Sequence, residues 1–99
     1  MTRRGRSKTR TLLSEFSSRL GSEILNVRIY RDHEAFVCER ELVERDGTSF
    51  TMVLPFKERD GARALLTSDP YYPKVRVQVG RALASLDRAF REQHGKRAS

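Results

Sequence analysis

The sequence predicts a small α+β domain of the order α-β-β-β-α, in which a C-terminal amphipathic helix covers one face of a three-stranded antiparallel sheet. Two patterns predict this fold class: apolar and polar residues alternate through the middle of the chain, and apolar residues recur at helical spacing near its end. Because 99 residues can bury one core but not two, we expect a single domain over residues 11–94.

The N-terminal segment divides into two predicted parts. Residues 1–10 are rich in Arg and Lys and contain no apolar residue except Met1. Nothing there can offset the entropy of ordering the backbone, so a disordered basic arm is expected. The next segment predicts a helix over about residues 11–20 that Gly21 ends. The apolar residues on one side of this helix are Leu12, Leu13, Phe16 and Leu20.

Three strands are predicted near residues 24–31, 35–45 and 48–56, because apolar residues there recur at every second position. In the second strand, residues 39–45 are also good helix formers, so a helix is the alternative for that part. A three-residue loop, Arg45 to Gly47, with Gly47 in the left-handed conformation of a G1 bulge, puts the apolar residues on one face. This loop predicts the pairs Leu42 with Phe50, Cys38 with Leu54 and Phe36 with Phe56.

The first strand connection should contain an even number of residues, because a shift by one would turn the apolar residues to water. A four-residue turn over residues 31–34 is preferred. It sets Ile29 beside Phe36 and Val27 beside Cys38.

The last third of the chain predicts a short helical turn and a long helix. The turn covers residues 61–66, and Pro70 and Pro73 separate it from a helix over about residues 74–93. The last residues, 95–99, are expected to fray. One side of the long helix is apolar, with Val75, Val79, Ala82, Leu83, Leu86 and Phe90. The other side is basic, with Lys74, Arg81, Arg88 and Arg91.

Composition limits the class of protein. Cys38 is the only cysteine, so an intramolecular disulfide is excluded. No apolar run approaches the roughly 20 residues that cross a bilayer, so no membrane span is expected. These features favour a cytoplasmic protein. Residues 1–21 are also rich in Arg and Ser with one acid, which is typical of organellar transit peptides and leaves that alternative open.

Catalytic and metal chemistry find little support, and no cofactor is expected. Cys38 falls on the predicted core face, where a thiol packs as a small apolar group. His33 lies in a turn, either simply exposed or in contact with a phosphate or a partner, and His94 lies in the tail. One cysteine and two distant histidines do not form a zinc site. The acidic residues Glu39 and Glu41 are expected on an exposed strand face, neutralised by Arg40 and Arg45.

Charge is the remaining functional signal. The net charge is +7, and the segments 1–19 and 61–99 each carry +5, whereas residues 20–60 carry −3. Two basic ends around an acidic centre predict a non-enzymatic module that binds nucleic-acid phosphates without sequence specificity. The residues expected to make these contacts are Arg3, Arg4, Arg6, Lys8, Arg10, Lys74, Arg76, Arg81, Arg88 and Arg91.

The alternative is a protein-interaction or assembly domain whose charges serve solubility or contact an acidic protein. An exposed strand edge can accept a strand from another chain, including an identical one. The linker containing Tyr71 and Tyr72 is the other candidate surface, although these rings are expected mainly to pack the linker against the core. Tyr30, on the exposed face, is the better candidate for stacking on a base.

The predicted order of elements resembles the outline of double-stranded-RNA-binding domains. Lys74 and Arg76 at the start of the last helix, and His33 in the first hairpin loop, would occupy places comparable to the RNA contacts of that family. The resemblance concerns topology alone and implies phosphate binding by these residues.

Overall fold

The structure is a computed structural model that describes residues 10–33 and 35–98. Four strands come first: β1 (Arg10–Leu20), β2 (Glu23–Asp32), β3 (Ala35–Val43) and β4 (Ser49–Phe56). Two helices follow, α1 (Arg59–Thr67) and α2 (Arg76–Ala98), with a 3₁₀ turn at Tyr72–Lys74 between them. The predicted arm lies outside the described residues except for Arg10, which begins β1.

The expected α+β class and antiparallel sheet are present, but the sheet has four strands in the order β1-β2-β3-β4. The helix predicted over residues 11–20 is wrong, because these residues form β1. Phe16 and Leu20, which pack on the core, are four residues apart, and this spacing satisfies both a helix and a strand. The serine-rich segment has weak helical propensity, and pairing with β2 supplies hydrogen-bond partners along one side of its backbone.

A tight turn joins β1 to β2. Gly21 has φ of 69° and lies in the turn of a hairpin in which Leu20 faces Glu23, so it turns the chain and does not end a helix. A register irregularity between Leu12 and Ser14 marks a bulge. With a strand in place of the first helix, the order becomes β-β-β-β-α-α, which no longer matches the outline of double-stranded-RNA-binding domains.

The β2–β3 connection is tighter than predicted. Asp32 faces Ala35, so the turn has two residues and begins with His33 at φ of 62°. The predicted pairs of Ile29 with Phe36 and Val27 with Cys38 are therefore wrong. The observed pairs are Ile29 with Cys38 and Val27 with Arg40. An even shift leaves the apolar face unchanged, so periodicity could not distinguish the two registers.

The β3–β4 loop is as predicted. Gly47 has φ of 93°, its N–H donates to Glu44 O at 2.9 Å, and Glu44 N–H donates to Thr48 O at 2.7 Å. This is the expected three-residue loop with a G1 bulge. The three predicted pairs are confirmed: Leu42 with Phe50, Cys38 with Leu54 and Phe36 with Phe56.

The two helices cover one face of the sheet. α1 is longer than the predicted turn and buries Ala62 and Leu66. α2 begins after the 3₁₀ turn and continues to Ala98, beyond the predicted end near residue 93. Its apolar side packs on the sheet, with Val79, Ala82 and Leu86 buried. The sheet contributes Leu25, Val27, Ile29, Phe36, Cys38 and Phe56 to the same core.

An aromatic cluster closes one end of this core. The rings of Phe36 and Phe56 stack with centroids 5.4 Å apart, and Phe90 of α2 meets Phe36 at 4.7 Å. This contact holds α2 across the sheet, so the opposite side of the helix faces solvent.

Candidate functional site

The exposed side of α2, together with the 3₁₀ turn before it, carries a group of positive charges that form no ion pair with a described side chain. We call this group the basic ridge. Its members, all exposed, are Lys74, Arg76, Arg81, Arg88 and Arg91. Arg81 and Arg88 are separated by about two turns, or about 10.5 Å along the axis, and the arginines span about 22 Å.

The ridge is continuous because uncharged residues lie between its members. At 100° per residue, Arg81, Arg88 and Arg91 fall within the half of α2 opposite Leu86, and Arg76 lies just outside that half in the first turn. The residues among them, Val77, Gly80 and Ala84, are uncharged and exposed. Asp87 lies at the margin of the ridge and accepts a hydrogen bond from Arg59 Nε of α1. That carboxylate is therefore already compensated.

Several described arginines outside the ridge are paired with carboxylates. Arg28 pairs with Glu39 and Glu41, Arg40 with Asp69, and Arg59 with Asp87. No ridge residue forms an ion pair with any side chain that the structure describes. Arg19 and Arg45 also form no ion pair with a described side chain, so the ridge is distinguished by having its members together along one exposed side of a helix.

The uncovered face of the sheet carries a polar network. Asn26 Nδ2 and Arg28 Nη2 donate to Glu41 Oε1 at 3.2 and 3.3 Å, and Arg28 Nε donates to Glu39 Oε1 at 2.9 Å. The hydrogen bonds from Asn26 and Arg28 lower the pKa of the Glu41 carboxyl. The expectation that Arg40 neutralises these acids is wrong, because Arg40 points to the helix-covered face.

Arg10 is separated from the ridge. Its Nε lies 3.5 Å from Asp32 Oδ2, and its guanidinium lies 5.2 Å from the centre of the Tyr30 ring. By strand alternation these three residues share the uncovered face, opposite α2. The structure thus does not bring Arg10 together with the other predicted phosphate contacts. Arg3, Arg4, Arg6 and Lys8 lie outside the described residues.

The tyrosines of the linker pack against the fold. Tyr71 and Tyr72 are half-buried on the core. The Tyr71 hydroxyl donates to Glu23 Oε1 at 2.7 Å, and this hydrogen bond raises the pKa of the phenol. Their structural role agrees with the expectation that they cap the linker. Tyr30 lies under Arg10, so its ring is not an open stacking surface.

The groups that could perform catalysis are placed apart. Cys38 is 3% exposed, and burial raises the pKa of its thiol to about 11. His33 stands exposed in the β2–β3 turn. In the described part of the chain, no three His, Cys, Asp or Glu side chains cluster as metal ligands.

Two further features lie near β4. A cavity of about 380 Å³ opens between the sheet and α1. It is lined by Val27, Cys38, Arg40, Met52, Leu54, Leu65, Leu66, Ser68, Asp69 and Pro70. Three apolar side chains of β4 are also exposed: Phe50, Met52 and Val53, at 56%, 48% and 53%. The alternation in β4 predicted that Phe50 and Met52 lie in the core, but both are exposed. The sequence signal for an exposed outer strand is the absence of charged residues from Thr48 to Phe56.

Comparison of the chain with protein-family models, curated proteins and solved structures gives no match in any of the three. Among the described helices, none has both the length and the apolar character needed to span a membrane. Function is therefore inferred from the geometry and charge of the residues themselves.

Proposed function

We propose that this chain is a non-enzymatic binding module that contacts nucleic-acid phosphates without reading sequence. The contacts come from the basic ridge, Lys74, Arg76, Arg81, Arg88 and Arg91, and from the N-terminal arm with Arg3, Arg4, Arg6 and Lys8. Arg10 is left out because Asp32 and Tyr30 already engage it on the far side of the sheet.

The observation that carries this proposal is that several cations without a described ion pair lie together along the exposed side of α2. An arginine already bonded to a carboxylate has little to gain from a phosphate, since the carboxylate must be released. The ridge arginines make no ion pair with a described carboxylate, so phosphate contact has no such cost. Each phosphate that they neutralise releases counterions, and this release favours binding.

The type of residue also supports phosphate binding. Four of the five ridge positions are arginine, whose planar guanidinium can donate two parallel hydrogen bonds to phosphate oxygens. Such contacts position a protein on nucleic acid but carry no base information. Non-specific binding is therefore the expected mode.

The uncovered face of the sheet is a poor alternative surface for nucleic acid. Glu39, Glu41 and Asp32 lie there, and Arg28 and Arg10 already compensate them in part. A phosphate backbone crossing this face would approach more carboxylates than free cations. The phosphates should instead follow α2.

The test is a salt titration of binding to mixed-sequence DNA and RNA duplexes, followed by fluorescence anisotropy. We expect log K to fall linearly with log salt concentration, with a slope near −0.9 for each phosphate contacted on a DNA duplex. Similar affinities for unrelated sequences are expected. No binding at low salt, or an affinity that salt leaves unchanged, would contradict the proposal.

A further inference from the structure

The two outer strands of the sheet differ in how well they are protected. β1 presents Arg10, Glu15 and Arg19 and contains a bulge, features that discourage pairing with another strand. β4 has no charged residue between Ser49 and Phe56. Its exposed edge therefore lacks the charges that usually prevent edge-to-edge association.

The β3–β4 hydrogen bonds determine which groups β4 presents outward. Because Glu44 N–H donates to Thr48 O, bonded and non-bonded pairs alternate from there along the antiparallel ladder. Phe50, Met52 and Leu54 thus point their backbone groups towards β3. Ser49, Thr51 and Val53 point theirs towards solvent. Pro55 also points outward, but proline has no backbone N–H. The outward N–H donors of β4 are therefore those of Ser49, Thr51 and Val53.

We infer that two copies of this chain associate by antiparallel pairing of β4 with β4, centred on Thr51. This register pairs all three outward donors with one another: Thr51 with Thr51 of the second copy, and Ser49 with Val53 in both directions. In any other antiparallel register, at least one of these three N–H donors faces Pro55 or a residue other than Ser49, Thr51 and Val53. The result is a continuous eight-stranded sheet with the helices of both copies on one face.

The same register covers the exposed apolar side chains. Phe50 of one copy stands directly opposite Met52 of the other, at a position where facing side chains approach closely and an aromatic–sulfur contact is favourable. Met52 and Leu54 line the cavity beside α1. The Phe50 ring of the second copy would therefore lie at the mouth of that cavity, whose volume of about 380 Å³ exceeds that of a phenyl ring.

The net charge gives dimerisation a salt dependence that distinguishes it from nucleic-acid binding. Each copy carries +7, so the two copies repel each other, although the β4 edge brings no charge into direct contact. Salt screens this repulsion and should strengthen association. Nucleic-acid binding has the opposite dependence on salt, so the two proposals can fail independently.

The first experiment is sedimentation equilibrium of the full chain over a range of concentrations and salt. We expect a monomer–dimer equilibrium with a dissociation constant of micromolar order, because a single strand edge is a small interface. Phe50→Lys should weaken dimerisation at least about 30-fold, as expected for a central contact residue. Val77→Lys adds the same charge at another exposed apolar residue and should leave the dimer intact.

A cysteine at the symmetry axis tests the register. Two facing Thr51 residues would have Cα atoms about 5.5 Å apart, which suits a disulfide, so Thr51→Cys should crosslink readily between copies. Ser49→Cys is the control, because Ser49 faces Val53 of the second copy and the two Ser49 residues of the dimer are therefore far apart. Cys38 stays buried and unreactive in both variants.

Three results would overturn the inference. They are a wild-type chain that is monomeric at every concentration, equal weakening by Phe50→Lys and Val77→Lys, and crosslinking by Ser49→Cys but not by Thr51→Cys. Circular dichroism should show that all variants fold, because the substituted side chains are exposed.

Discussion

Arg40 of β3 and Asp69 of the linker after α1 form a two-point ion pair on the helix-covered face of the sheet. Arg40 Nε donates to Asp69 Oδ2, and Arg40 Nη2 donates to Asp69 Oδ1 at 3.1 Å. Tyr71 N–H donates to Asp69 Oδ1 at 2.9 Å. The side chains are only 16% and 11% exposed, so one carboxylate joins the sheet to the segment that leads into α2.

Asp69→Asn should destabilise the fold by about 3 kcal/mol, because it leaves the Arg40 guanidinium largely buried without a counter-charge. The asparagine oxygen can still accept from Tyr71 N–H, so the destabilisation reports on charge. The free energy of unfolding in urea measures this effect.

The pair of Arg59 with Asp87 provides the control. It is more exposed, at 42% and 31%, and Asp87→Asn should cost less than about 1 kcal/mol. The double variant Arg40→Met with Asp69→Leu should be considerably more stable than Asp69→Asn alone, because it leaves no buried charge unpaired. Equal costs for Asp69→Asn and Asp87→Asn would contradict the structural role given to Arg40 and Asp69.

Gly47→Ala and Gly80→Ala should change stability in opposite directions. Gly47 has φ of 93°, where an L residue is strained, and we expect its substitution to cost about 1–2 kcal/mol. Gly80 lies on the exposed side of α2, where alanine should add up to about 1 kcal/mol. Beyond the adjacent backbone, no atom lies within 4 Å of an added Cβ at either position. The added methyl group makes no contact with other parts of the fold at either position, so a difference in Tm between the two variants reports on backbone conformation and not on packing.

Stability should fall between about pH 9 and pH 11 because of Cys38. Burial raises the pKa of this thiol from 9.0 to about 11, so in this range the folded chain keeps a proton that the unfolded chain has released. Fewer protons on the unfolded state mean that stability decreases as pH rises, by up to about 1.4 kcal/mol per pH unit. Urea unfolding at several pH values measures this slope, and Cys38→Ala should show a shallower one. Identical slopes would exclude the thiol as the source.

The double variant Arg81→Gln with Arg88→Gln should weaken nucleic-acid binding and reduce the magnitude of the salt slope by about 2, because each arginine that neutralises a phosphate accounts for about 1. Arg19→Gln with Arg45→Gln removes the same charge from exposed positions away from the ridge. That control should retain most of the affinity and the slope. If both pairs reduce binding equally, net charge and not the ridge is responsible. Anisotropy titrations compare the two variants.

Local patterns predicted much of the fold. The alternation in β2, β3 and β4 and the turn chemistry around Gly47 depend on neighbouring residues only, and the β3–β4 register followed from them. The apolar and basic sides of α2 are likewise properties of one segment. The candidate basic face could therefore be predicted before any coordinates.

The remaining features depend on contacts between distant residues. Spacing by four in β1 fits a helix and a strand, so only the hairpin with β2 decides between them. A shift by two in the β2–β3 pairing leaves the same face apolar, yet it decides where Arg40 stands and hence its bond to Asp69.

The sequence by itself determined the fold class, the β3–β4 hairpin and the basic side of the last helix, because each follows from residues close together along the chain. Only the tertiary structure decided which cations are neutralised and which apolar residues stay exposed. The physical reason is that ion pairing and burial depend on which segments contact one another across the sheet, and the periodicity of the sequence does not specify those contacts. Phe50 shows this: its position in an alternating strand predicts burial, but its side chain is 56% exposed in the folded chain.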